Sequence, residues 1–81
     1  MGEYQRYTAE IEAMLDFIFT FSVWETSPGE AAIQAVRQEE GEDGFGGDFP
    51  VTVTDKEGNV THWLVHSVHT PVVYTVESVV K

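Results

Sequence analysis

From Tyr7 to Val23 every odd position is apolar (Tyr7, Ala9, Ile11, Ala13, Leu15, Phe17, Phe19, Phe21, Val23), while the even positions are mostly polar (Thr8, Glu10, Glu12, Asp16, Thr20, Ser22). Side chains alternating with a period of two line opposite faces of a β-strand, so the pattern predicts one long N-terminal strand. A helix over Thr8 to Asp16 is the competing reading. Ala, Glu, Met and Leu favour helix, and Ile11, Met14, Leu15 and Ile18 fall at helical spacing, but a helix would waste the regular alternation. At roughly 3.3 Å per residue the strand is unusually long, which predicts a bulge or bend near Met14.

Ser27-Pro28-Gly29-Glu30 is a helix start. Ser27 serves as N-cap, Pro28 takes the first helical position, and Glu30 sits three residues after the cap, as a capping box requires. The helix is expected from about Pro28 to Gln38, with Gly41 as its stop. Its apolar stripe is thin, Ala32, Ile33 and Val36 with Ala31 and Ala35 beside it, so it can lie close to a sheet but cannot cover one by itself. Glu39 and Glu40 in the last turn oppose the macrodipole, and Arg37 offsets part of that cost.

Gly41 to Asp48 carries four glycines in eight residues and reads as a flexible acidic loop with Phe45 at its centre. Val51-Thr52-Val53-Thr54 then alternates into Asp55-Lys56-Glu57-Gly58-Asn59, where Gly58 is available for a positive φ, and Val60 resumes a strand. The stretch from Val60 to His69 is apolar on both faces: Val60, Leu64 and Val68 on one, Trp63 and Val65 on the other. Thr70-Pro71 interrupts it before a last strand from Val72 to Val76. The fold expected is therefore α+β, with residues 1–81 as a single domain. An antiparallel-rich sheet of about four strands, the long N-terminal strand and a C-terminal meander, carries one helix on one face. Phe17, Phe19, Phe21, Val23, Ile33, Val36, Val51, Val53 and Leu64 are the expected core. The other sheet face is left for a second copy or a partner.

Charge changes this picture most. The 81 residues hold 14 Asp plus Glu against 4 Lys plus Arg, a formal net charge of −10, and the acids are bunched. Solubility does not need that much self-repulsion. With 42% hydrophobic residues, the chain is nonetheless apolar enough to collapse. Cysteine is absent, which removes disulfides, thiolate ligands and cysteine nucleophiles, and fits a reducing cytoplasm. The N-terminus lacks a signal-peptide pattern, and the longest apolar stretch, Phe17 to Trp24, falls short of the roughly 20 residues of a membrane span. Anionic lipid and nucleic acid would both repel such a surface, so neither is an expected direct ligand.

Catalytic and cofactor chemistry finds little to work with. His62, His66 and His69 lie in a strand-like context, where the four-residue spacing of the first two separates their rings by roughly 13 Å, too far for one metal. His66 and His69 would point to opposite faces. Paired carboxylates could act as general acid and base, but a small sheet with one helix offers little concavity. Ser67 has no triad signature around it. In the glycine-rich loop, Glu42, Asp43 and Asp48 would repel a phosphate, and the alternating acid pattern of a calcium loop is missing. No metal, no cofactor and no enzymatic activity are expected.

The charge pattern itself remains as candidate chemistry. Glu10 and Glu12 would stand on one face about 6.6 Å apart with Asp16 further along the row. Glu39, Glu40, Glu42, Asp43 and Asp48 would form a second, mobile cluster. Such rows present charge much as a nucleic-acid backbone does and would attract a groove lined by Lys and Arg, with Phe45 and one exposed tryptophan as apolar anchors. In general character (small, acidic, cysteine-free, motif-poor) the chain resembles phage-encoded anti-defence inhibitors such as anti-CRISPR or antirestriction proteins. The resemblance is one of type, covers no alignable stretch and transfers no sites. With the charge pattern, it implies a non-enzymatic inhibitor that mimics nucleic acid and occupies the basic surface of a nucleic-acid-binding protein in a host cytoplasm; the small size and uncovered sheet face make a homodimer a further expectation. The alternative expectation is a structural or assembly module whose carboxylates only keep it hydrated in high salt.

Overall fold

The computed structural model describes residues 3–14, 17–40, 46–69 and 72–79. The described elements are β1 (Gln5–Met14), β2 (Phe17–Glu25), α1 (Pro28–Glu40), β3 (Gly47–Thr54), β4 (Val60–His69) and β5 (Val72–Val79). The strands form one sheet of five in the order β2-β1-β3-β4-β5, each neighbour antiparallel. The α+β class, the helix and the C-terminal meander are as the pattern predicts.

The single long N-terminal strand is not: the chain reverses and forms the β1–β2 hairpin, giving five strands instead of about four. Seventeen residues from Tyr7 to Val23 would extend to roughly 56 Å, whereas the molecule measures 34 × 32 × 22 Å. The hairpin pairs Tyr7 with Val23, Ala9 with Phe21 and Ile11 with Phe19. Residues directly opposite one another share a face, so pairing odd positions with odd gives both strands the same alternation up to Glu12 and Ile18. The irregularity expected near Met14 is present as a register shift between Glu12 and Met14. A helix over residues 8–14 is overturned by the same pairing. Leu15 and Asp16 lie outside the described residues.

Helix α1 begins where its cap predicts. The Glu30 amide donates to Ser27 Oγ at 3.3 Å, and the Ala31 amide to the Ser27 carbonyl at 3.0 Å. Ala31, Ala32, Ala35 and Val36 are fully buried against Tyr7, Ala9, Ile11, Val23, Val51, Val53 and Val65. Small side chains let the helix lie low over the strands, and Gly29 is buried beside the Trp63 ring, 3.4 Å from where a β-carbon would stand. Trp63 Nε1 donates to Thr61 Oγ1 at 2.8 Å, which satisfies the one polar atom of the indole. At the other end of the helix the Arg37 guanidinium lies over the Tyr74 ring, 5.0 Å from its centroid. Burial pushes the Tyr7 hydroxyl above its ordinary pKa, with Asp55 adding to the effect.

Of the expected core, Val23, Val36, Val51 and Val53 are buried, and Phe21 and Ile33 pack half-buried against them. Two members differ. Phe19 stays 36% exposed because β2 is a sheet edge with no described strand beyond it. Leu64, at an even position, faces away from the helix. The side chain of Phe17 lies outside the description. The turn between β3 and β4 is held by Asp55, whose carboxylate accepts from the Glu57 amide (2.8 Å), the Asn59 amide (2.9 Å) and Asn59 Nδ2 (3.1 Å). These bonds, Asn59 foremost, hold the Asp55 pKa below its ordinary value, and Gly58 takes the positive φ of 89°.

The close approach of α1 makes Ala35 intolerant of volume. Ala35→Leu is expected to lower stability by about 1–3 kcal/mol through overpacking, read as a lower urea midpoint with an unchanged slope.

Candidate interaction surface

The odd-numbered side chains of β1 to β4 and the even-numbered ones of β5 meet α1, and the alternate side chains form a second face that no described element covers. Its rows follow from the register. Thr20, Glu10, Thr52, His62 and Val79 run across the sheet in one row; Ile18 pairs with Glu12, and Pro50, Leu64 and Glu77 continue the next; Asp48, His66 and Thr75 form another. Threonine dominates the interior of this face because a β-branched side chain suits the pleat while its hydroxyl tolerates water.

Glu10 and Glu12 are exposed neighbours on this face, about 6.6 Å apart along β1. Between them and β5 lies a depression of about 280 Å³ whose lining includes Glu10, Glu12, Ile18, Pro50, Leu64 and Val79. That falls just under the usual size of a small-molecule pocket, so the geometry is that of a contact surface with an apolar floor and an acidic wall. Ile18 (59% exposed) and Trp24 (65%) stand at the β2 side of the same face. Trp24 is thus the exposed tryptophan, and Trp63 belongs to the helix side.

Asp48 does not belong to a mobile loop as expected. It lies in β3 opposite His66. His66 Nδ1 is 2.7 Å from Asp48 Oδ1 and its Nε2 is 3.2 Å from Glu77 Oε1, so one ring ties β3, β4 and β5 together. Only the imidazolium has a proton on both nitrogens and can donate to both carboxylates at once. The Asp48 hydrogen bond first, then that of Glu77, raise the His66 pKa above 6.5 against a smaller opposing effect of burial. The ring remains 37% exposed, which keeps the energetic weight of the bridge modest.

The expected site residues therefore separate. Glu10, Glu12 and Asp48 share the open face, while Glu39 is part of α1 on the far side of the sheet. Asp16, Glu42, Asp43 and Phe45 lie outside the described residues, as does the side chain of Glu40. Glu77, His66, Ile18, Leu64 and Val79 join the face without having been singled out as site residues, because membership depends on strand register. Glu77 is odd-numbered and reaches the open face only because β5 pairs with β4 odd to even, Glu77 opposite Leu64, which no local signal shows.

His62 Nδ1 contacts Thr52 Oγ1 at 3.3 Å, and among the described residues no group of three or more His, Asp or Glu side chains could hold a metal. Ser67 is buried on the helix side, opposite in direction to His66, so the two do not form a nucleophile and base pair. Among the described residues no helix is long and apolar enough to cross a membrane. Comparisons with family models, curated proteins and solved structures found no match.

The His66 bridge has a definite pH sign. Its folded-state pKa is raised, so its stabilisation is fully present below the unfolded value near 6.5 and is lost as pH rises through the folded value. The melting-temperature difference between the wild type and His66→Gln is expected to be largest near about pH 6 and to shrink towards about pH 9. The His66 ring resonances should titrate with a midpoint above 6.5.

Proposed function

We propose that this protein is a non-enzymatic binding module whose open sheet face occupies a basic, nucleic-acid-binding surface on another protein and thereby inhibits it. The observation that carries this reading is the gathering of Glu10, Glu12, Asp48 and Glu77 on one uncovered face around apolar Ile18, Pro50, Leu64 and Val79. Carboxylates fixed on strands present an anionic row without the ordering cost a mobile tail would incur on docking. Arg6 is a cation on the same face, and its Nε is committed to Ser22 Oγ at 2.7 Å. The apolar floor gives a partner something to desolvate, which a merely hydrated acidic surface would lack. Charge of this sign steers the encounter with a Lys- and Arg-lined groove and releases counterions when it docks. The general character of phage anti-defence inhibitors, anti-CRISPR or antirestriction, supports the same class of target, and action there places the protein in a host cytoplasm.

Inhibition of purified restriction and CRISPR nucleases provides the test. An affected nuclease should be inhibited competitively with duplex DNA, with binding that weakens as salt rises. Glu10→Lys/Glu12→Lys should weaken it at least about tenfold, because each reversal turns an attraction into a repulsion. If the charge reversal leaves inhibition intact, the reading fails. It fails equally if no basic nucleic-acid-binding protein responds while the melting temperature climbs steeply with molar salt, the behaviour of a surface that is acidic for hydration.

A further inference from the structure

β2 is an edge of the sheet, with one row of backbone amides and carbonyls that no described strand pairs. Natural proteins guard such edges with lysine, proline, bulges or charge. The opposite edge, β5, follows the rule, carrying Glu77 well inside the strand. β2 does not: its nine residues, FIFTFSVWE, hold no charge before the terminal Glu25 and no proline, in a chain of net charge −10. Two of its apolar side chains, Ile18 and Trp24, are largely exposed.

From Ile18 to Trp24 the strand is also complementary to itself. If a second copy runs antiparallel to it about Phe21, Phe19 falls opposite Val23 of the second copy, Thr20 opposite Ser22, and Ile18 opposite Trp24. Apolar meets apolar and hydroxyl meets hydroxyl in each of these pairs, and each occurs twice. The symmetry places both members of a pair on the same face, so Ile18 and Trp24 cover one another on the open side while Phe19 and Val23 do so on the helix side.

We propose that β2 pairs with β2 of a second copy about a twofold axis through Phe21, joining two five-stranded sheets into one of ten strands. The axis stands perpendicular to the sheet, so both helices lie on one side and both acidic faces form a continuous surface on the other. Charge permits this edge where it forbids stacking the faces. Glu10 and Glu12 stand one strand in, so they are at least about 14 Å from their counterparts, beyond the Debye length of about 8 Å at physiological salt. Pairing β2 to β5 instead would be heterologous and would propagate into open-ended filaments.

Sedimentation equilibrium from micromolar to millimolar concentration tests the pairing. The wild type should fit a monomer–dimer equilibrium that tightens as salt screens the net charge. Ile18→Glu/Trp24→Glu places like charges opposite one another at both ends of the interface and should weaken the dimer at least about tenfold. Ile18→Glu/Trp24→Lys makes each of those pairs attractive and should restore it, a rescue that a non-specific sticky patch would not show. Circular dichroism checks the fold of each variant. Should the first pair of substitutions unfold the chain, Thr20→Glu/Ser22→Glu against Thr20→Glu/Ser22→Lys repeats the comparison one row inward. A wild type monomeric at millimolar concentration, undiminished association of the doubly acidic variant, failure of the mixed variant to recover, or growth beyond a dimer would each overturn the proposal.

Discussion

The contact between α1 and one face of the sheet, the odd-numbered side chains of β1 to β4 with Tyr74 and Val76 of β5, is the interaction on which the rest of the structure depends. A 13-residue helix is about 20 Å long, close to the width of five strands at roughly 4.8 Å spacing, and α1 reaches all five. It does so with alanine, which gives up buried area per residue in exchange for a close approach. The core is consequently built from β-branched strand residues and a smooth helix, with the larger aromatics Phe21, Phe49, Trp63 and Tyr74 packed around its margin. One helix can seal one face only. The other must remain tolerable to water, and its threonines and carboxylates make it so.

That open face divides into two electrostatic halves. On β3, β4 and β5 the carboxylates are internally engaged, since Asp48 and Glu77 share the His66 ring. On β1 the carboxylates of Glu10 and Glu12 point into solvent beside the apolar depression. The half nearer β2 is therefore the half with anionic charge to offer, and it is also where Ile18 and Trp24 are exposed. Function, on the reading proposed, concentrates on β1 and β2, whereas the meander serves as the stiff part of the platform.

The helix start and the β3–β4 turn were legible in the sequence because the chemistry of each is itself local. Ser27 and Pro28 fix the helix start because a cap and a ring-constrained φ act within one turn, and Asp55 with Gly58 fixes the β3–β4 turn for the same reason. The β1–β2 reversal was hidden by two features. Ala13, Met14, Leu15 and Asp16 include no glycine, proline or asparagine, and an odd-to-odd register keeps the same alternation on both sides of the turn. The same limit governs the site. Glu10 and Glu12 were legible because their relation lies within one strand, while the meeting of Asp48, His66 and Glu77 requires knowing which residues of three strands stand opposite. Asp48 was misplaced in a loop because the glycines before it extend to position 47, where β3 has already begun.

The placement of charge reconciles an acidic chain with an unguarded edge. Stacking two open faces would bring Glu10, Glu12 and their counterparts together across a thin apolar layer, at a repulsive cost that grows as the layer dries. Repulsion across the β2 edge is diluted by distance and screened by salt. The two proposed associations would then respond oppositely to ionic strength: docking of the acidic face on a basic surface would weaken as salt rises, because counterion release is its drive, while pairing of two like-charged copies would strengthen. In the dimer the free carboxylates of the two β1 strands flank the new junction symmetrically, so a basic partner with its own twofold axis, such as a nuclease that reads palindromic DNA, would meet matching rows in both halves. Joining two copies at β2 thus leaves the acidic face uncovered and doubles its extent in the one direction where the sheet has no charge of its own.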